Sequence, residues 1–92
     1  MNGSMEKRKH LVEILTNELP VLRARLGVTQ EDVAERIGIS RQTYNSIETK
    51  KKPMNWTVFV ALLTIFRGDA KTCQMLNEMT EFKEYVIKEL EI

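Results

Sequence analysis

A chain of 92 residues is long enough for one domain with a single hydrophobic core and too short for two. With 42% apolar and 29% charged residues, its composition is that of a soluble globular protein rather than a disordered chain. No apolar run is long enough to cross a bilayer, and the N-terminus lacks the apolar core of a signal peptide, so we expect no membrane association and a cytoplasmic location. Cys73 is the single cysteine, which excludes an intramolecular disulfide, and we expect it to be buried as a small hydrophobic residue.

The net charge of +1 conceals an uneven distribution along the chain. Residues 69–92 carry three lysines and six acidic side chains, whereas residues 1–68 carry eleven basic and seven acidic side chains. A basic N-terminal part joined to an acidic C-terminal part predicts that the two ends contact different partners, although solvated charges also divide unevenly by chance.

Helical periodicity runs through almost the whole chain, and no segment alternates with the period of a strand, so we predict an all-α fold. The first apolar stripe is formed by Leu11, Val12, Ile14, Leu15 and Leu19. Pro20 stands where a helix can restart, Leu22 and Leu26 continue the stripe, and Gly27 is the predicted end. The basic run at residues 7–10 is interpreted either as an arm that follows a DNA backbone or as an idle terminus.

Two short helices are predicted next, and Gly38 separates them. Thr29 is the predicted N-cap of the first, which has acidic side chains in its first turn, and Ser40 is the predicted N-cap of the second. Their predicted inward side chains are Val33, Ala34, Ile37, Ile39, Tyr44 and Ile47. The loop after Glu48 contains three consecutive lysines at positions 50–52.

Asn55 is the predicted N-cap of a fourth helix, which is apolar on nearly every face and should lie centrally. Asp69 is the predicted cap of the next helix, over 70–79, and a last helix is predicted over 80–90. Its apolar stripe consists of Phe82, Val86 and Leu90, widened by Tyr85 and Ile87. This tail either packs on the same domain, dimerises or binds another protein, because all three would use the same apolar face.

Residues 30–48 are the most informative part of the sequence, because two short helices joined around a glycine predict a tight bihelical corner. Gly38 permits the positive φ that the turn requires. The side chains left on the outer face of the second helix are Arg41, Gln42, Asn45 and Ser46. Arginine pairs with guanine, glutamine or asparagine with adenine, and serine with several bases, so this face is predicted to read base edges in a major groove.

Residues 19–66, about half of the chain, resemble the phage repressor/Cro-like family of helix-turn-helix regulators, often called XRE-type. The matching strings are Leu-Arg-Ala-Arg-Leu-Gly-Val-Thr-Gln-Glu-Asp-Val-Ala-Glu-Arg-Ile-Gly (22–38) and Ile-Ser-Arg-Gln-Thr-Tyr-Asn-Ser-Ile-Glu (39–48). The resemblance implies a five-helix lambda-repressor-like DNA-binding domain over residues 19–68. We expect a tail and helical extension before it, over 1–18, and one or two further helices after it, over 69–92.

The resemblance also implies residue roles. Arg41, Gln42 and Ser46 match base-reading positions, with Asn45 as a fourth. Gln30 would contact a DNA phosphate, and we add Thr43 as a second phosphate contact. Lys50, Lys51 and Lys52 directly follow the recognition helix and are interpreted as phosphate contacts rather than as a solvated loop. Arg23 and Glu48 match an ion pair that connects the first helix to the end of the recognition helix.

Two features depart from the family pattern. Tyr44 occupies a position that is usually a β-branched aliphatic residue, and it fits only if its hydroxyl reaches solvent, a polar group or a phosphate. The loop after Glu48 often carries a glycine in the family, and residues 49–52 contain none.

The predicted function is a sequence-specific double-stranded DNA-binding regulator, a repressor that binds a two-fold symmetric operator as a homodimer. The alternatives are an antitoxin-type autorepressor whose tail binds a toxin, and a helical protein-interaction module. We expect no enzymatic activity, cofactor or metal, because the sequence has no catalytic constellation and His10 has no second ligand near it. A ligand-sensing regulator is disfavoured because no second domain is available to form a pocket.

Overall fold

A computed structural model describes the backbone of residues 2–85 and the side chains of residues 5–84. Within this part of the chain there is no strand, and the helices are α1 (Asn2–Leu26), α2 (Gln30–Ile37), α3 (Arg41–Glu48), α4 (Trp56–Arg67), α5 (Ala70–Asn77) and α6 (Thr80–Tyr85). The predicted all-α fold is therefore confirmed. The predicted last helix reached residue 90, and its residues Val86, Ile87 and Leu90 lie outside the described part. None of the described helices has an apolar stretch long enough to span a bilayer.

Helix α1 is continuous through Pro20, so the restart considered at that proline does not occur. Leu11, Leu15, Leu19 and Leu22 form one stripe on the helix and are at most 2% exposed. An interior proline costs about 3 kcal/mol, whereas burying each leucine contributes about 2 kcal/mol, so the buried stripe on both sides of Pro20 outweighs its effect. The predicted boundary at residue 18 consequently falls inside α1.

Helices α2, α3, α4 and α5 begin at the predicted N-caps, which are Thr29, Ser40, Asn55 and Asp69. Each of these side chains accepts a hydrogen bond from a backbone N–H two or three residues further on, at 2.8–3.0 Å. At α2 the arrangement is reciprocal, because the Asp32 carboxylate accepts the Thr29 N–H at 3.0 Å. The hydrogen bonds that this carboxylate accepts, first from the Thr29 backbone and then from its side chain, lower the pKa of Asp32.

Helix α4 lies at the centre of the core, as its apolar composition predicts, and packs against α1, α2 and α5. Phe59 is fully buried and stacks with two aromatic rings, that of Trp56 at 4.5 Å and that of Phe82 at 6.0 Å. The described part of the tail thus belongs to the same core through Phe82. His10 lies 2.9 Å from Glu81 and provides a polar contact between α1 and α6.

Cys73 is only half-buried, contrary to the expectation that it is buried as a hydrophobic residue. The inward position on α5 belongs to the neighbouring Thr72, which is fully buried. Its hydroxyl donates to the carbonyl of Phe66, so a polar side chain is accommodated in the core without an unsatisfied group.

Candidate nucleic-acid interface

The corner between α2 and α3 is built by a Schellman motif around Gly38. This glycine has a φ of 81°, its N–H lies 3.3 Å from the Glu35 carbonyl, and the N–H of Ile39 donates to the Ala34 carbonyl at 3.0 Å. Val33 and Ala34 are buried against α3 and α4. The turn leaves Arg41, Gln42 and Asn45 exposed on the opposite face of α3.

The four predicted base-reading residues lie together on that outer face. Arg41, Gln42 and Asn45 are exposed and Ser46 is half-exposed. Together with Gln30 from the start of α2, they line one shallow polar hollow. Their side chains offer both hydrogen-bond donors and acceptors, which is the chemistry that reads base edges.

Glu48 is the centre of a hydrogen-bond network behind this face. Arg23 donates to both carboxylate oxygens, from Nε to Oε1 and from Nη2 to Oε2, at 2.9 Å each. The hydroxyl of Tyr44 donates to Oε1 at 2.7 Å, and Gln30 Nε2 donates to Oε2 at 3.1 Å. The residues of the predicted ion pair are thus in a bidentate contact, and the Tyr44 hydroxyl has a polar partner, as the fit of a tyrosine at this position requires.

The charge states within the network follow from its geometry. Burial opposes the ionised form of Glu48, but hydrogen bonds from Arg23, Tyr44 and Gln30 outweigh it and lower the pKa of this carboxyl group. The hydrogen bond to Glu48 raises the pKa of Arg23. Burial, and then the hydrogen bond to Glu48, raise the pKa of Tyr44, so its hydroxyl remains a donor at neutral pH. The negative charge at the end of α3 is therefore neutralised locally by Arg23.

Gln30 connects this network to the outer face of α3. Its side-chain oxygen accepts Asn45 Nδ2 at 3.1 Å, while its amide nitrogen donates to Glu48. One amide hydrogen of Gln30 remains available for a further hydrogen bond, and Asn45 retains its oxygen and a second amide hydrogen. Sequence reasoning missed this link because Gln30 lies 18 residues from Glu48 and 15 from Asn45, and no short motif relates them.

Thr43, predicted as a phosphate contact, is half-buried in the first turn of α3. Its hydroxyl accepts a hydrogen bond from the N-cap hydroxyl of Ser40 at 2.8 Å. The Thr43 hydroxyl hydrogen is therefore free to be donated to an anion.

The lysine loop begins with another Schellman motif, which ends α3 without a glycine. Lys50 has a φ of 67°, its N–H donates to the Ile47 carbonyl at 3.1 Å, and the N–H of Lys51 donates to the Ser46 carbonyl at 2.8 Å. Lys50, Lys51 and Lys52 are all exposed. The loop therefore places three cationic side chains directly after the outer face of α3.

A protein-family model described as a helix-turn-helix domain matches residues 14–72. The matched range begins within α1, contains α2, α3 and α4, and ends in the first turn of α5, so it includes every residue of the site described above. Searches of the curated proteins and of the solved structures found no match. Among the described residues, no three His, Cys, Asp or Glu side chains are grouped to hold a metal ion.

Proposed function

The chain belongs to the helix-turn-helix domain family, and we propose that it is a sequence-specific double-stranded DNA-binding transcriptional regulator of the phage repressor/Cro-like, or XRE, type. One observation carries the proposal: the outer face of α3 presents Arg41, Gln42, Asn45 and Ser46 beside an exposed lysine loop. A helix of this kind, with polar side chains at its N-terminal end, has the dimensions and the chemistry for a major groove.

Base recognition is assigned to the outer face of α3. Arg41 suits the acceptor pair of guanine, whereas Gln42 and Asn45 suit adenine, and each good bidentate pair contributes about 1–3 kcal/mol of discrimination. Asn45 is oriented by its hydrogen bond to Gln30, which lowers the conformational entropy that it loses on binding.

Phosphate binding is assigned to Gln30, Thr43 and the lysine loop at 50–52. Cationic side chains that neutralise phosphates release condensed counterions, so affinity should fall steeply as salt increases. The pairing of Glu48 with Arg23 favours this role, because the carboxylate at the end of α3, just before the lysine loop, is already neutralised.

A homodimer on a two-fold symmetric operator is the proposed assembly. One copy presents one recognition helix, so two inverted half-sites one helical turn apart require two copies. Occlusion of a promoter by this dimer is the simplest regulatory outcome, and the proposal includes no enzymatic activity, cofactor or metal. DNA as the partner is consistent with the cytoplasmic location expected from the sequence.

The interaction-module alternative lacks DNA binding, whereas the antitoxin alternative shares the DNA-binding face and adds a toxin bound by the tail. Leu76 and Phe82, two apolar side chains of its described part, are buried in the domain core. The basic and amide side chains exposed on the outer face of α3 favour DNA binding over the interaction module, and a toxin-like reading frame beside the gene would favour the antitoxin.

Selection from random duplex DNA with the purified full chain, at near-physiological salt, tests the proposal. Enrichment of two inverted half-sites is expected. A single enriched half-site would contradict the dimer, and no enrichment at any salt would contradict DNA recognition. Gln42→Ala should broaden the selected motif, whereas Gln74→Ala, an exposed amide on α5, should leave it unchanged.

A further inference from the structure

A groove with a volume of about 540 Å³ lies between the N-terminal half of α1, the loop that follows α3 and the first residue of α4. Its apolar lining consists of Met5, Val12, Ile47, Pro53, Met54 and Trp56. Ile47 and Met54 are buried, whereas Met5 is 72% exposed. Pockets for small organic molecules have volumes of about 300–1,000 Å³ and mostly apolar linings, so the groove has the size and the character of such a site.

The charged side chains that line the groove are unequal in sign. Arg8, Lys9, Lys50 and Lys52 are cationic, and Glu13 is the acidic residue among the lining residues. The Arg8 guanidinium lies 4.6 Å from the centre of the Trp56 ring, a cation–π contact that holds it at the edge of the groove. Neither ion pair found among the described residues involves these four cations.

We propose that this groove binds an anionic amphiphile, a small molecule with an apolar body and one carboxylate of the kind found in medium-chain fatty acids. The apolar lining would remove the apolar body from water. The four cationic side chains would bind the carboxylate through charge-assisted hydrogen bonds. A neutral apolar molecule would leave the cations unused, and an apolar cation would be repelled by them. A highly charged anion without an apolar body would leave the lining exposed.

The bound amphiphile lowers the affinity for DNA, a consequence that rests on the DNA-binding function proposed above. Two groove residues, Lys50 and Lys52, are also assigned to DNA phosphates, and Ile47 belongs to the recognition helix. A carboxylate held by these lysines competes with a phosphate for the same charges. The coupling is reciprocal, so DNA lowers the affinity for the amphiphile by the same factor, on the order of tenfold.

The site can be tested without DNA, because Trp56 is the single tryptophan of the chain and lines the groove. The full chain is titrated with octanoate while tryptophan fluorescence is recorded, and octylammonium and octanol serve as controls of equal chain length. The expected result is a saturable change with octanoate at a Kd at least about tenfold below that of either control, since one charge contact of about 1.4 kcal/mol corresponds to tenfold. No saturation, or equal affinity for the three compounds, would overturn the site.

Two pairs of variants locate the binding. Val12→Glu puts a carboxylate into the half-buried lining and should abolish octanoate binding, whereas Val21→Glu on the exposed side of α1 should not. Lys9→Glu should weaken octanoate binding about tenfold and Lys71→Glu on α5 should not, which keeps the test decisive if Val12→Glu fails to fold. Unchanged binding in both Val12→Glu and Lys9→Glu would place octanoate elsewhere and overturn the proposal.

The coupling is measured by fluorescence anisotropy with the selected duplex. Octanoate should weaken DNA binding by the wild-type chain and by Val21→Glu, and should have no effect on Val12→Glu. Octanoate binding without any change in DNA affinity would overturn the coupling and leave the site. Failure of the chain to bind any duplex would contradict the proposed function, while the fluorescence titration would still decide the site.

Discussion

Tyr44 donates its hydroxyl hydrogen to Glu48 one turn later on α3, at 2.7 Å, and the oxygen that accepts it also accepts Arg23 Nε. A fully buried aromatic ring is thereby connected to the contact between α3 and α1. Through Arg23 and Gln30, the Glu48 carboxylate fixes the end of α3 to α1 and α2. These contacts of Glu48 therefore fix the position of the helix that carries the outer face.

Tyr44→Phe should lower the free energy of unfolding by about 1–2 kcal/mol, because Glu48 loses one of its hydrogen bonds while the ring remains in the core. Urea denaturation measures the change. A double-mutant cycle with Glu48→Gln should give a non-additive result, since both side chains share one bond. Strict additivity of the two substitutions would contradict the hydrogen bond.

Acid should destabilise the protein through Glu48. The folded-state pKa of this carboxyl group is lowered, so its contribution to stability is fully present above the unfolded pKa of about 4.3 and is lost as the pH falls below that value. Thermal unfolding between pH 6 and pH 3 should therefore show a smaller decline for Glu48→Gln than for the wild type. The lowered pKa of Asp32 acts in the same direction and is present in both proteins. Equal declines in the two proteins would contradict the role of Glu48.

Lys50→Gly should raise the free energy of unfolding by about 1 kcal/mol. A side chain at positive φ costs roughly 1–2 kcal/mol, which glycine removes, but glycine also loses more backbone entropy on folding, so the net gain is smaller than the strain. Lys50→Ala is the matched control, since it removes the charge but keeps the Cβ. Gly27 and Gly38 occupy equivalent helix ends with φ of 75° and 81°, and a Cβ at either would meet no atom within 4 Å. Gly38→Ala should therefore lower the free energy of unfolding by about 1–2 kcal/mol through backbone strain alone. Equal stability of Lys50→Gly and Lys50→Ala in urea denaturation would contradict the strain.

Local chemistry explains why so much of the fold was predictable. Asn55 and Asp69 act as caps through atoms two or three residues away, and Gly38 satisfies a φ that few other residues adopt. The outer face of α3 follows from the helical period once its inward residues are known. These relations all lie within about one or two turns of chain.

The relations that the sequence did not reveal depend on tertiary packing. Pro20 is normally a reason to end a helix, and only the burial of leucines on both sides of it explains its place in α1. Asn45 and Gln30 meet because two helices cross, and the apolar groove forms because residues 5–16 lie against residues 47–56. The groove lies within one domain, whereas the sequence disfavours a ligand-sensing regulator because it has no second domain to form a pocket.

Lys51→Ala should weaken binding to every duplex alike, because a phosphate contact carries no sequence information. The slope of log K against log salt should become shallower by about 0.9 for the one phosphate released.

Gln42→Ala should behave in the opposite way. It should lose about 1–3 kcal/mol of binding free energy at the selected site and little at random duplex, with an unchanged salt slope. Fluorescence anisotropy between 50 and 200 mM salt measures both quantities, with Lys71→Ala on α5 as a charge-matched control. Lys51 does not line the groove, so this result is independent of any bound amphiphile. A base-specific loss in Lys51→Ala, or the same change of slope in Lys71→Ala, would contradict the assignment of the lysine loop to phosphates.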